Sequence, residues 1–214
     1  MHREIIVNKI IESGVVAVIR LNGKEKLPDI ISALLKGGIS AMEITMTTPN
    51  AIEIINDISQ KIGSDFIIGA GTVLDSETAC AVISAGAQFV VSPVINVDMI
   101  KTVHRYDKAV FPGAFTPTEI LHAWENGADI VKVFPATALG PQFFKDIHGP
   151  LPQVRLTPTG GVSLENTGEF IRCGASCVGV GTALLNKKMI NDSDWIALTE
   201  NAKQFVEEVQ KARE

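Results

Sequence analysis

The chain reads as an α/β protein of the (β/α)8 TIM-barrel type, with a helix ahead of the first strand. Three observations carry this expectation. Eight short apolar runs recur, with starts about 20–26 residues apart, the length of a strand, a loop, a helix and a return. Helical patterns fill the gaps between them. Gly follows a helical pattern and precedes the next run in "GGIS", "AGAQ", "NGAD" and "CGAS", as expected where a helix ends in a left-handed residue. Strands alternating with helices pair in parallel, and eight such units close most simply into a barrel. An open doubly wound sheet has no need of eight evenly spaced units.

Taken in order, a helical segment over 4–12 precedes the first strand at 15–20 and is placed to close the bottom of the barrel. Strands follow at 41–46, 67–73, 89–93, 109–114, 130–135, 155–160 and 177–181. The helices between them fall at 27–36, 51–62, 76–85, 97–105, 117–126, 141–147 and 164–173, and a strongly amphipathic one closes the chain at 195–212. No Pro/Ser-rich linker divides the sequence, so residues 1–214 are expected to form one domain.

Composition narrows the function classes. Of 214 residues, 46% are hydrophobic and 20% charged, enough apolar surface for a sizeable core and too much for disorder. The net charge is −5 and no Lys/Arg cluster stands out, which argues against a nucleic-acid partner. No apolar run is long enough to span a membrane, and the charged start "MHREIIVNKI" lacks signal-peptide features. Three cysteines, Cys80, Cys173 and Cys177, suit a reducing cytoplasm and read as buried thiols, because no His or further Cys completes a metal site around them. His104, His122 and His148 fall in helical segments and read as surface residues rather than ligands.

The stretch "ADIVKVFP" places a lysine in the middle of an apolar strand. Taking an ammonium out of water costs several kcal/mol, on the order of what most single contacts contribute. Strand side chains alternate faces. If Val131 and Val133 meet the helices, Ile130, Lys132 and Phe134 point inward. By the same alternation Met42, Ile44 and Met46 face outward and Glu43 faces in. One carboxylate and one amine inside a barrel read equally well, by themselves, as a buried salt bridge. The strand ends favour a use for them, because barrel active sites form there. The first strand ends in Arg20. The third, "GAGTV", has small residues that leave open space, with Thr72 at its end. The seventh ends in Gly160-Gly161 and the eighth in "GVGT", with Gly181 and Thr182. Gly-rich ends of the last two strands, with the helix N-terminus after the eighth, suit a phosphate. A buried lysine has a depressed pKa, and a neutral amine attacks ketones.

The motifs "GVVAVIR", "MEITMTTP", "IIGAGTVL", "FVVSP", "PGAFTPTE", "VKVFPA", "GPQF", "PTGGV" and "GVGTAL" run from about residue 14 to 185. In this order they resemble the 2-keto-3-deoxy-6-phosphogluconate aldolase family, which includes the 4-hydroxy-2-oxoglutarate aldolases. The resemblance implies a homotrimeric barrel and a class I aldolase acting on a phosphorylated 2-keto acid, with no cofactor and no metal. It implies Lys132 as the Schiff-base residue, Glu43 as the acid/base, and Thr72 at the substrate carboxylate. Phe134 is implied beside the lysine, and Gly160, Gly161 and Thr182 around the phosphate. Many members carry Arg four residues after the catalytic Glu, where this chain has Thr47; Arg20 matches members with the arginine at the end of the first strand instead. The alternatives are the phosphogalactonate isomer as substrate, or a phosphate-binding barrel isomerase or synthase that needs no imine.

Overall fold

A parallel sheet curled on itself carries the chain's polar strand ends, and the computed structural model describes residues 2–20, 24–63 and 65–214. The elements alternate: α1 (Arg3–Ser13), β1 (Val15–Ile19), α2 (Leu27–Lys36), β2 (Ala41–Thr45), α3 (Ala51–Ser59), β3 (Ile67–Gly71), α4 (Ser76–Ser84), β4 (Phe89–Val91), α5 (Val97–Arg105) and β5 (Ala109–Phe111). After these come β6 (Gly113–Ala114), α6 (Pro117–Glu125), β7 (Val131–Val133), α7 (Gly140–His148), β8 (Leu156–Pro158), α8 (Leu164–Arg172), β9 (Val178–Val180), α9 (Lys187–Asn191) and α10 (Trp195–Arg213). Helices start where side chains satisfy their free N–H groups: Asp75 accepts from Thr78 N at 2.6 Å and Asn96 from Met99 N at 2.9 Å.

Six strands pair in the order β5-β4-β3-β2-β1-β9, and β6-β7-β8 form a second set. Every pairing within them is parallel. The strand expected at 109–114 is two pieces. Pro112 divides it because proline has no N–H for the ladder, although its carbonyl still accepts from Lys132 N at 2.9 Å. Between β8 and β9 the ladder thins to the single bridges Leu156↔Ala175 and Thr159↔Gly179.

The alternation of side chains divides the interior into two layers. Met42, Ile44, Val131 and Val133 belong to the core between sheet and helices. Val16, Ala41, Ile67, Phe89, Phe111, Ile130 and Cys177 form a separate inner cluster with Ile6, Val7 and Ile10 of α1. Helix α1 therefore covers the N-terminal end of the concave face, as expected. Each of its fully buried isoleucines contributes about 1.5–3 kcal/mol of apolar transfer. No described helix is long and apolar enough to cross a membrane.

Candidate active site

Lys132 shares its parity on β7 with Ile130 of the inner cluster, so its side chain turns into the concave face, as does Glu43 two residues beyond Ala41. Register carries both across their neighbours. Glu43 lies level with Val18 and Gly69, and Lys132 with Gly113 and Thr157. Lys132 is 5% exposed and Glu43 2%.

No ion pair within 4.0 Å joins Lys132 to a carboxylate among the described residues. The salt-bridge reading loses its geometry there. Three residues beyond β2, the Thr48 hydroxyl is enclosed and has no hydrogen-bond partner among the described residues. Burial drives Glu43 above the usual carboxylate range, opposed by the positive charges of Lys132 and Arg20. Burial drives Lys132 below the usual lysine range; the Glu43 carboxylate pulls it back up and the Arg20 guanidinium pushes it further down. Both groups are thus biased toward their neutral forms.

The surroundings are shaped for these two side chains. A Cβ on Gly71 would come within 2.8 Å of the Glu43 carboxyl carbon, and one on Gly69 within 2.4 Å of the Phe89 ring. The small residues of "GAGTV" do not leave open space, as the sequence suggested; they admit a carboxylate and an aromatic ring. The Phe134 ring centroid lies 4.8 Å from Lys132 Nζ. Thr72 is half-buried and holds φ at 60°. A β-branched residue in that conformation costs about 1–3 kcal/mol and is tolerated mainly at functional sites. Arg20 is exposed at the end of β1, close enough to act electrostatically on both ionisable groups.

At the ends of β8 and β9, Gly160 (φ 90°) and Gly161 (φ 74°) have backbone that only glycine adopts freely, and the Thr159↔Gly179 bridge sets this turn beside Gly181 and Thr182. The N–H groups of Gly161, Thr182 and Ala183 have no backbone partner among the described residues. The helix expected straight after the eighth run is a single turn, closed by Leu185 N to Gly181 O at 2.9 Å. The five-residue α9 begins only at Lys187. The helix whose N-terminus adjoins this region is α8, where Ser163 N donates to Asn166 Oδ1 at 2.8 Å.

Sequence reasoning passed over two buried hydroxyl residues beside the pair, Thr45 on the strand of Glu43 and Thr157 level with Lys132. Thr45 bonds the Thr47 hydroxyl at 2.8 Å, and Thr157 donates to Cys177 O at 3.0 Å. A signal for Thr45 exists, because it shares the parity of Glu43. Of the histidines read as surface residues, only His122 is exposed; His104 meets Asp129 at 3.3 Å and His148 meets Val154 O at 2.9 Å. Of the thiols, only Cys177 is buried. A cleft of about 730 Å³ lies at the opposite end between α1 and the C-terminal ends of α5 and α6. It is lined by Arg3, His104, Trp124, Asp129 and Arg155, away from the lysine.

Relatives of known activity cover most of the chain. The 2-dehydro-3-deoxy-phosphogluconate aldolase of Pseudomonas aeruginosa is 33% identical over 198 residues, 92% of this chain and 89% of the relative. The 2-dehydro-3-deoxy-6-phosphogalactonate aldolase of Escherichia coli K12 is 36% identical over 155 residues, 72% of this chain and 76% of its own. A KDPG aldolase from Legionella pneumophila, solved with pyruvate captured as a covalent carbinolamine intermediate, superposes with a TM-score of 0.85 at 30% identity over 92% of this chain and 96% of its own. The family model described as KDPG and KHG aldolase matches residues 6–201. An inward amine without an ion pair among the described residues, a carboxyl biased toward its neutral form and this match over most of the sequence lead to one assignment: the chain belongs to the KDPG and KHG aldolase family of carbon–carbon lyases.

Proposed function

We propose that the chain is a class I aldolase that cleaves 2-keto-3-deoxy-6-phosphogluconate to pyruvate and glyceraldehyde 3-phosphate, and also 4-hydroxy-2-oxoglutarate to pyruvate and glyoxylate. The observation that carries this reading is Lys132: buried, biased toward the neutral amine, and free of an ion pair among the described residues. The amine attacks the C2 ketone to give a carbinolamine, which loses water to a protonated imine. Glu43 takes the proton of the C4 hydroxyl, directly or through one water. The electrons of the C3–C4 bond flow into the imine, the aldehyde leaves and an enamine remains. Glu43 returns its proton to C3, and water hydrolyses the new imine to release pyruvate. A carboxyl held above its ordinary range suits a group that is base in one step and acid in the next. Arg20 and Thr72 hold the substrate carboxylate, and Phe134 packs beside the reacting lysine. Gly160, Gly161, Gly181 and Thr182 take the phosphate through backbone N–H groups and a hydroxyl. These roles need no metal or cofactor.

The architecture proposed with this chemistry is a closed eight-stranded barrel in a single domain over residues 1–214. Its support is that β5 and β6 flank one proline and that two isolated bridges, Leu156↔Ala175 and Thr159↔Gly179, join the chain around β8 to the chain around β9. The same reading makes the enzyme a cytoplasmic homotrimer. Exposed Leu74, Val94 and Phe115 on neighbouring strand-end loops are its apolar contact candidates. A second reading, the phosphogalactonate isomer as substrate, is supported by the Escherichia coli relative; the Pro-Thr pair of "PTGGV" weighs against it.

Incubation with pyruvate, borohydride reduction and peptide mapping test the mechanism. The adduct is expected on Lys132, and Lys132→Arg should lose about 10⁵-fold in turnover because a guanidinium stays charged. An adduct on another lysine, or none, overturns it. The same preparation, assayed by pyruvate release, should favour 2-keto-3-deoxy-6-phosphogluconate over 4-hydroxy-2-oxoglutarate by roughly 10²-fold in kcat/KM. A higher value for the galactonate isomer selects the second reading.

A further inference from the structure

The turn after β9 is gripped from behind by α10. Gly181 O accepts from Leu184 N at 3.1 Å and Leu185 N at 2.9 Å, which winds residues 181–185 into one helical turn. Such a turn leaves its first N–H groups and its last carbonyls without internal partners. Asn201 satisfies two of those carbonyls: its Nδ2 donates to Ala183 O at 3.0 Å and to Leu184 O at 2.9 Å. An amide nitrogen carries two hydrogens, so both are used. Each of these two peptide units is therefore held at both ends, its N–H by Gly181 and its carbonyl by Asn201. The N–H groups of Thr182 and Ala183, at the start of the turn, remain unpartnered by backbone among the described residues.

The position of Asn201 makes this costly. Leu198, Ala202, Phe205 and Val209 are the buried stripe of α10, and Asn201 lies on it, three residues after Leu198 and four before Phe205. An apolar side chain there would add to the core. A second tether holds the far end of the same segment. Lys26 Nζ donates to Ile190 O at 2.7 Å and to Asn191 O at 2.9 Å, the last carbonyls of α9. Residues 181–191 are thus fixed from α10 on one side and from the start of α2 on the other.

We propose that Asn201 is a positioning residue for the anionic end of the substrate, with Lys26 in a supporting part. By locking the Ala183–Leu184 and Leu184–Leu185 peptide planes, Asn201 fixes the turn just after the Thr182 and Ala183 N–H groups and so keeps them and the Thr182 hydroxyl aimed at one place. This inference rests on the reading that the turn holds the phosphate. The test compares kcat and KM of the full-length enzyme, Asn201→Leu, Asn201→Ser and Lys26→Met on both substrates. Active sites are counted by pyruvate–borohydride trapping. Asn201→Leu is expected to raise KM for 2-keto-3-deoxy-6-phosphogluconate by ~10-fold. Its kinetics on 4-hydroxy-2-oxoglutarate should stay within about twofold of native, because that substrate never reaches the turn. Asn201→Ser, which keeps one donor, should fall between native and Leu, and Lys26→Met should show the same selectivity more weakly. An equal loss on both substrates, or an unchanged preference for the phosphorylated one, overturns the role of Asn201. A native enzyme with no preference for the phosphorylated substrate overturns the phosphate site itself. If Asn201→Leu does not fold, the Ser and Lys26 variants decide by the same split.

Discussion

The two ends of the concave face are built from the same strands and do opposite things to the folded state. At the N-terminal end, Ala41 and Ile130 join Val16, Ile67, Phe89 and Phe111 under α1, and burial there pushes the Cys177 thiol up to about 11. Two residues further along the same strands, roughly 6.6 Å away, stand Glu43 and Lys132. The environment hardly changes between 130 and 132, yet one side chain gains from burial and the other is penalised by it. A chain selected for stability alone would continue the apolar layer upward. The lower layer is the scaffold; the upper layer gives up part of that stability to hold an amine and a carboxyl that prefer to be neutral.

The largest effect should come from the upper layer. Glu43→Gln keeps size and removes the proposed proton shuttle, so kcat should fall by ~10²–10⁴-fold while pyruvate still forms the borohydride-trappable imine. Stopped-flow or steady-state pyruvate release measures it. A variant with near-native kcat would move Glu43 into the scaffold and erase the contrast between the two ends.

The lower layer should answer in stability rather than turnover. Phe89 fills the space above Gly69 and packs on Phe111 with ring centroids 5.5 Å apart. Phe89→Ala should cost about 3–5 kcal/mol of folding stability, read from denaturant melts, with kcat per trapped active site close to native. A large kcat loss at unchanged stability would show that the lower layer reaches into the chemistry.

Much of this division is legible in the amino-acid sequence. Alternation alone turns Glu43 and Lys132 inward, and α2 and α5 have the ends that the sequence pattern predicts. The break between β5 and β6 has its signal in Pro112, inside a run otherwise apolar enough to read as one strand. What stays hidden depends on contacts between distant segments. The glycines of "GAGTV" look like empty space until Phe89 and Glu43 are seen against them. Thr72 has no local feature that announces a φ of 60°. The segment after Gly181 is expected to enter a helix; instead its carbonyls turn to Asn201, seventeen residues or more away.

The finest contrast lies within the upper layer, between the two charges acting on Lys132. In the proposed mechanism only the neutral amine of Lys132 attacks the ketone, so the rate of imine formation should rise with pH and level off, with a midpoint below the ordinary lysine range because burial disfavours the ammonium. The Glu43 carboxylate stabilises the ammonium and raises that midpoint; the Arg20 guanidinium destabilises it and lowers it. Glu43→Gln should therefore shift the midpoint down and Arg20→Met should shift it up. Saturating pyruvate is needed for the second variant, since Arg20 is also assigned to the substrate carboxylate. Trapping rates across pH report the midpoint in both variants without requiring turnover. Opposite shifts would establish that the two charges tune the nucleophile against a shared background of burial. Shifts in the same direction would mean that each substitution acts by changing how much water reaches Lys132, and the charge arrangement would then have no part in setting its reactivity.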